Sequence, residues 1–130
     1  MKRKNISSGS PFEKPIGFSR AVRIGNTIAV SGTAPIAEDG SNACVGDVYG
    51  QSRRCLEIMK TAIEAAGGEL KDVIRTRIML TDISSWEKVA RAHGEFFADI
   101  RPASTLVEVS RLINKAWLVE MEADCVLLPD

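Results

Sequence analysis

The chain predicts a two-layer α+β fold in which a mostly antiparallel sheet of five or six strands carries two helices on one face. Three observations support this class. Two segments have the apolar spacing of amphipathic helices, several short segments alternate apolar and polar residues as strands do, and 130 residues make one domain. The predicted order is strand, strand, an optional short strand, helix, strand, helix, strand, strand. Two helices cover only one sheet face, so the other face must be buried elsewhere or stay in water.

A β-hairpin is the first predicted unit. Residues 18–24 alternate in polarity, and Gly25-Asn26 supplies a two-residue turn before a second strand over 27–31. Residues 1–14 are mostly polar, so we expect a loosely ordered N-terminal segment there and a single domain over 15–130. The following loop is rich in turn residues and contains the optional short strand at 43–45.

Two helices are predicted next. The first has Asp47 as its N-cap, an apolar stripe over 55–66 and a glycine stop at Gly67-Gly68. The second begins with the capping-box spacing Ser84-x-x-Glu87, and Pro102 bars further helix. Its apolar stripe includes the single histidine of the chain.

Three more strands are predicted over 73–81, 105–110 and 118–127. Strand alternation puts Ile74 on the apolar face of the first of them and Arg75 and Arg77 on the other face. In the last strand, three acidic residues share one face: Glu120, Glu122 and Asp124.

The charge balance limits the partners. Lys+Arg and Asp+Glu both total 17, which argues against nucleic acid or an anionic membrane as a broad electrostatic partner. No apolar run is long enough for a signal peptide or a membrane span, so we expect a cytoplasmic protein. Cys44, Cys55 and Cys125 lack metal-clip spacing and are interpreted as reduced, buried residues, and one histidine argues against a His-rich metal site.

Two interpretations of the carboxylate row stay open. It is either a solvated face paired with Arg75 and Arg77, or a polar pocket at a subunit interface in which one carboxylate acts as a general acid or base. The two arginines either hold one anion together or form ordinary salt bridges. His93, within an apolar stripe, is interpreted as a hydrogen-bonded packing residue.

Four segments together resemble the RidA family, also called YjgF or L-PSP. The resemblance covers residues 15–127 and implies a chorismate-mutase-like fold, a homotrimer, a small-molecule ligand in clefts between subunits, and hydrolysis of enamines and imines to 2-oxo acids and ammonia without a cofactor. The segments that carry it are Ile24-Gly-Asn-Thr-Ile-Ala-Val-Ser-Gly32, Ile63-Glu-Ala-Ala-Gly67, Arg101-Pro-Ala-Ser-Thr-Leu-Val-Glu-Val109 and Leu118-Val-Glu-Met-Glu-Ala123.

The resemblance assigns roles to individual positions. Glu120 matches the family's acid/base carboxylate, and Ser31 and Gly32 match its Ser-Gly substrate contact. Ser104 stands where the family has a carboxylate-binding arginine. Phe18 or Ser19 falls where the family has an aromatic hydroxyl, and Ala90 where it has an asparagine; Arg20, Arg75 and Arg77 are the candidate replacements for the missing cation.

Two functions therefore remain in view. The first is a hydrolase, an enamine or imine deaminase with Glu120 as acid/base and a substrate other than the simple 2-imino acids. The alternative is a protein that binds a small molecule on this scaffold without turning it over. A ribonuclease is disfavoured because the chain is neutral and shows no platform of aromatic residues for base stacking.

Overall fold

Six strands form one sheet in the computed structural model, which describes residues 2–129. The strands are β1 (Arg3–Ile6), β2 (Ala21–Ile24), β3 (Thr27–Thr33), β4 (Val73–Leu80), β5 (Ala103–Glu108) and β6 (Val119–Val126). Their spatial order is β1-β2-β3-β6-β4-β5, and every neighbouring pair is antiparallel except β4 and β5. The sheet thus has β1 and β5 as its edges, and the predicted fold class is confirmed.

Helices pack on one face of this sheet. A one-turn helix, α1 (Glu13–Ile16), precedes β2; the two main helices are α2 (Val48–Ala65) and α3 (Trp86–Phe97). Helix α2 contacts β3, β6 and α3. Burial of apolar side chains between the helices and the sheet is the main force that holds the two layers together. The largest fully buried apolar side chains are Ile28, Leu56, Met59, Ile63, Leu80, Val89, Phe97, Val119 and Met121.

Local signals position several elements where the sequence predicts them. Gly25 has a positive φ of 59° and turns the β2–β3 hairpin. Asp47 caps α2, because its side chain accepts a hydrogen bond from the backbone N–H of Gly50 at 3.0 Å. In β6, residues 119, 121, 123 and 125 are buried and the three acidic residues between them are partly exposed, as predicted.

The N-terminal segment contains a strand that the sequence analysis did not predict. β1 lies antiparallel to β2, with Ile6 opposite Ala21, inside the segment expected to be loosely ordered. Its polar residues sit on an edge strand, where backbone pairing needs no apolar alternation. The domain boundary at 15 stays a prediction.

Other local predictions were wrong. No strand forms over 43–45; Ile36 and Asn42 make only an isolated bridge, and Cys44 has a φ of 46°, which breaks extended backbone. Cys44 is also exposed, whereas Cys55 and Cys125 are buried as expected. Ile74 is 51% exposed because a register shift between Val73 and Arg75 moves it off the core face.

The prediction of a capping box at the start of α3 was wrong as well. Ser85, not Ser84, is the N-cap residue and its side chain makes no capping bond. Asp82 instead accepts from the backbone N–H of Ser84 at 3.0 Å and caps a short 3-10 turn that leads into the helix. The sequence therefore predicted the helix start correctly, but the predicted capping residue, Ser84, lies two positions after Asp82, whose side chain accepts the hydrogen bond.

Candidate functional site

The predicted Ser-Gly contact lies in an irregularity of β3. Val30 pairs with Ala123 of β6 and Thr33 with Met121, so Ser31 and Gly32 oppose a single intervening residue. Such a β-bulge bends the strand and is common beside active sites. Here it brings the backbone of Gly32 next to the start of β6, where Glu120 lies.

Gly32 lies in close contact with the side chain of Glu120. A Cβ built on Gly32 would stand 2.7 Å from the Glu120 Oε2 atom, closer than real Cβ contacts. The predicted catalytic carboxylate and the predicted Ser-Gly contact are therefore neighbours. A side chain at this position would have to displace the Glu120 carboxylate, and backbone strain would add nothing, since the φ of Gly32 is not positive.

Glu120 has the electrostatic setting of an acid/base residue. Its side chain is half-buried, and burial raises the pKa of its carboxyl above the ordinary value. The Arg20 guanidinium opposes this rise and the charge of Glu122 adds to it. A carboxyl whose pKa moves toward neutrality can both accept and return a proton, which is the property that general acid/base chemistry requires.

Arg20 is the candidate arginine that the structure places beside Glu120. Its Nη2 donates to the Gly32 carbonyl oxygen at 2.5 Å, and its guanidinium carbon lies 5.8 Å from the centre of the Phe18 ring. Burial lowers the pKa of Arg20, while the charges of Glu13 and Glu120 oppose that change. Its Nε is buried without a hydrogen-bond partner.

Ser31 of β3 is hydrogen-bonded to the two residues that directly precede β2. The Ser31 hydroxyl donates to the Ser19 carbonyl oxygen at 2.5 Å, and the Ser31 N–H donates to the Arg20 carbonyl oxygen at 3.0 Å. Phe18 and Ser19 are both partly buried. One cluster therefore contains Phe18, Ser31, Gly32 and Glu120 of the predicted site, together with Arg20.

Arg75 and Arg77 are engaged elsewhere on the sheet. Arg77 Nη1 lies 3.1 Å from Glu122 Oε1 and 3.2 Å from Asp124 Oδ2, and Arg75 Nε lies 4.0 Å from Asp124 Oδ2. This is the salt-bridge arrangement considered for the two arginines. All four side chains are partly exposed, so these pairs contribute little to stability.

Ser104 lies in a second location. In the parallel β4–β5 register it pairs with Thr76, which is fully buried on the helix-facing side. The Thr76 hydroxyl donates to Ser104 Oγ at 2.8 Å and is also hydrogen-bonded to His93 Nε2 at 2.9 Å. Burial lowers the pKa of His93, so its imidazole is mainly neutral near pH 7.

One chain does not bring Ser104 and Glu120 together. Glu120 alternates with the buried residues Val119 and Met121, so it projects from the sheet face that carries no helix. Ser104 bonds toward the helix face and belongs to the edge strand β5. The predicted site is therefore divided between two parts of the fold.

Sequence reasoning named Arg20 only as one of three candidate cations and missed Thr76. A hydroxyl within the apolar row of β4 was the available signal for Thr76, since a buried hydroxyl needs a partner. Among residues 2–129, no three His, Cys, Asp or Glu side chains stand together as a possible metal site. Nor does any helix in that range have the length and apolar character to cross a membrane.

Comparisons with known proteins agree with this fold. The sequence model of the family described as Endoribonuclease L-PSP matches residues 12–127. A RutC family protein of Pyrococcus horikoshii is 38% identical over 124 residues, which is 95% of this chain and 96% of that protein.

Solved structures give the same result. The crystal structure of a YjgF/YER057c/UK114 family member from Mycobacterium tuberculosis has a TM-score of 0.88 and 43% identity, covering 97% of this chain and 100% of that one. The structure of E. coli TdcF with bound serine has a TM-score of 0.80 and 26% identity, covering 95% and 94%. This chain belongs to the Endoribonuclease L-PSP family, the same family that the sequence resembles under the names RidA and YjgF.

Proposed function

We propose that this protein is a small-molecule hydrolase that releases ammonia from an enamine or imine, with a substrate other than the simple 2-imino acids. The observation that carries this proposal is the half-buried Glu120, whose carboxyl has a raised pKa and lies against the backbone of Gly32. Hydrolysis of an imine needs a group that takes a proton from the attacking water and delivers a proton to the leaving nitrogen. Glu120 is suited to both steps.

The candidate cations argue against a simple 2-imino acid as substrate. Arg20 donates to the Gly32 carbonyl and lies near the charges of Glu13 and Glu120, so its positive charge is already shared. Arg75 and Arg77 pair with carboxylates of β6. If Ser104 takes the position of the family's arginine, a ligand carboxylate there meets a neutral hydroxyl.

We also propose that a second copy of the chain completes the site, in the homotrimer that the RidA resemblance implies. Glu120 and Ser104 project from opposite faces of the sheet, and Ser104 lies exposed on the edge strand β5. On the sheet face without helices, Val107 is 44% exposed and lies next to Met79. A second copy packed on this face would bury it. Sedimentation should give a trimer, and a stable monomer at micromolar concentration would contradict this assembly.

The alternative function is binding of a small molecule without turnover. It is favoured by the missing cation at Ser104, and E. coli TdcF, a relative of this chain, was solved with bound serine. We do not propose ribonuclease activity, because the formal net charge is zero and phosphate-backbone binding relies on unbalanced basic residues.

The test is release of ammonia and oxo product from two sets of imines: the 2-imino acids that an amino-acid oxidase generates, and the imines without a carboxylate that an amine oxidase generates. We expect 2-iminobutanoate to be hydrolysed about tenfold to a few hundredfold more slowly than by an arginine-bearing relative, since a lost charged hydrogen bond costs roughly 1.5–3 kcal/mol. An equal rate would contradict the proposed change in substrate. No turnover of any imine, with ligand binding retained, would favour the alternative.

A further inference from the structure

The hydroxyl of Ser104 ends a chain of three side chains that the proposed acid/base chemistry does not use. His93 Nε2, Thr76 Oγ1 and Ser104 Oγ are joined by hydrogen bonds of 2.9 Å and 2.8 Å. Thr76 is fully buried, so no water competes for its hydroxyl. Ser104 is exposed, and its free hydrogen-bonding capacity therefore faces outward from the edge strand.

The hydrogen-bond chain from His93 to Ser104 has two possible directions, because a hydroxyl has one proton to donate. In the outward direction, His93 Nε2–H donates to Thr76, Thr76 donates to Ser104, and Ser104 keeps its proton for an outside acceptor. In the inward direction, Ser104 donates to Thr76, Thr76 donates to an unprotonated Nε2, and Ser104 offers only lone pairs. Neutral imidazole permits both, since either ring nitrogen can hold its proton.

The surroundings of His93 leave both directions accessible. The ring packs against Phe97 with centroids 4.7 Å apart, which fixes its position but not its tautomer. The charged groups nearest to it along α3, Arg91 and Glu95, are paired with each other at 3.8 Å, and Glu95 is also held by Arg53 of α2 at 2.7 Å.

We propose that Ser104 selects a ligand carrying an uncharged group that both donates and accepts hydrogen bonds, such as a carboxamide or a hydroxyl, and that Thr76 and His93 position its hydroxyl. The inference rests on the proposed function in one respect, since the ligand must reach Ser104 across the cleft between two copies. An arginine at this position only donates and carries a charge that suits a carboxylate. The Ser104 hydroxyl carries no charge and can change direction with its partner.

The hydrogen-bond chain through Thr76 can be tested without any ligand. His93 is the only histidine in the sequence, so its two ring nitrogens give unambiguous 15N NMR signals. At a pH where the ring is neutral, Ser104→Ala removes the acceptor of the Thr76 proton, and that proton then turns to His93 Nε2. We expect the tautomer protonated at Nδ1 to increase in Ser104→Ala and to be unchanged in Ser110→Ala, a control at another exposed serine. Thr76→Val removes the partner of His93 Nε2 in either direction and should change the 15N shifts as well. Equal 15N shifts in wild type, Ser104→Ala and Thr76→Val would overturn the proposed hydrogen-bond chain.

The ligand class is tested with two matched probes, 2-oxobutanamide and 2-oxobutanoate, titrated into the assembled protein. Wild type should bind the amide about threefold to tenfold more tightly than the carboxylate, the ratio that one net hydrogen bond gives. Ser104→Ala should lose this preference, and Ser104→Arg should reverse it. Tighter binding of the carboxylate by wild type, an unchanged preference in Ser104→Ala, or no binding of either probe would overturn the inference.

The outcome is distinguishable from failure of the proposed function. Ammonia release from imines is measured on the same wild-type preparation. Absence of turnover with the amide preference intact would contradict the hydrolase and support the selection by Ser104. Turnover without the preference would contradict the selection and support the hydrolase.

Discussion

Replacing Gly32 by alanine tests the closeness of Glu120 to the β3 bulge. The new Cβ would stand 2.7 Å from Glu120 Oε2, whereas ordinary van der Waals contact begins at 3.4 Å. The carboxylate must therefore move away, and the proposed proton-transfer geometry changes with it. Because it is the far end of a flexible side chain, we expect a cost near the lower end of the overpacking range, about 1 kcal/mol.

The matched control is Gly94→Ala in α3. A Cβ at Gly94 would have no heavy atom within 4 Å, and replacing a glycine inside a helix by alanine stabilises by about 0.5–1 kcal/mol. The same chemical change should therefore lower the free energy of unfolding at position 32 and raise it at position 94. Urea denaturation at one matched protein concentration measures both, since unfolding of an oligomer depends on concentration.

The functional part of this prediction is larger. A displacement of the acid/base group of up to an ångström costs up to about a hundredfold in rate. We therefore expect Gly32→Ala to lose most of its turnover while remaining folded, and Gly94→Ala to keep it. If Gly32→Ala is as stable as wild type and equally active, Glu120 does not lie where the structure places it.

Three more predictions concern the cap of α2, the charge of Glu120 and the residue at position 104. Asp47→Ala should lower the free energy of unfolding by about 1 kcal/mol in urea, because Gly50 N–H loses its cap; no change would mean that the cap is not formed. Glu120→Gln should raise the unfolding free energy at pH 8, because the raised pKa makes the ionised carboxyl unfavourable in the folded state. That gain should fade as the pH drops toward 4, where wild type binds the proton in both states, and a pH-independent gain would contradict it. Ser104→Arg should raise 2-iminobutanoate hydrolysis in the ammonia assay; no rise in a correctly assembled protein would point to a pocket changed at more positions.

Much of the fold could be predicted because its signals are local. The Gly25-Asn26 turn, the Asp47 cap and the alternation along β6 each depend on a few neighbouring residues. β1 could not be predicted, because a polar edge strand is defined by its partner and not by its own pattern. Ile74 was assigned to the wrong face for a related reason: a bulge shifts a two-residue period without leaving a composition signal.

The candidate site was predictable in part. The resemblance to the RidA family named Ser31, Gly32 and Glu120, and the structure places them together. It could not decide among the three arginines, because their roles depend on which carboxylate each one meets across the sheet. The hydrogen-bond chain through Thr76 was also out of reach, since its three members come from α3, β4 and β5.

The most direct test of the proposed hydrolase is turnover by Glu120→Ala in the assembled protein. Ammonia and oxo-product release should be lost for every imine that wild type hydrolyses, while native mass spectrometry shows the same trimer mass for both proteins. Loss of turnover with unchanged assembly is the predicted result, because the residue that moves the protons is gone while the fold is kept. Retained turnover would contradict the account, since it would show that Glu120 is not the acid/base.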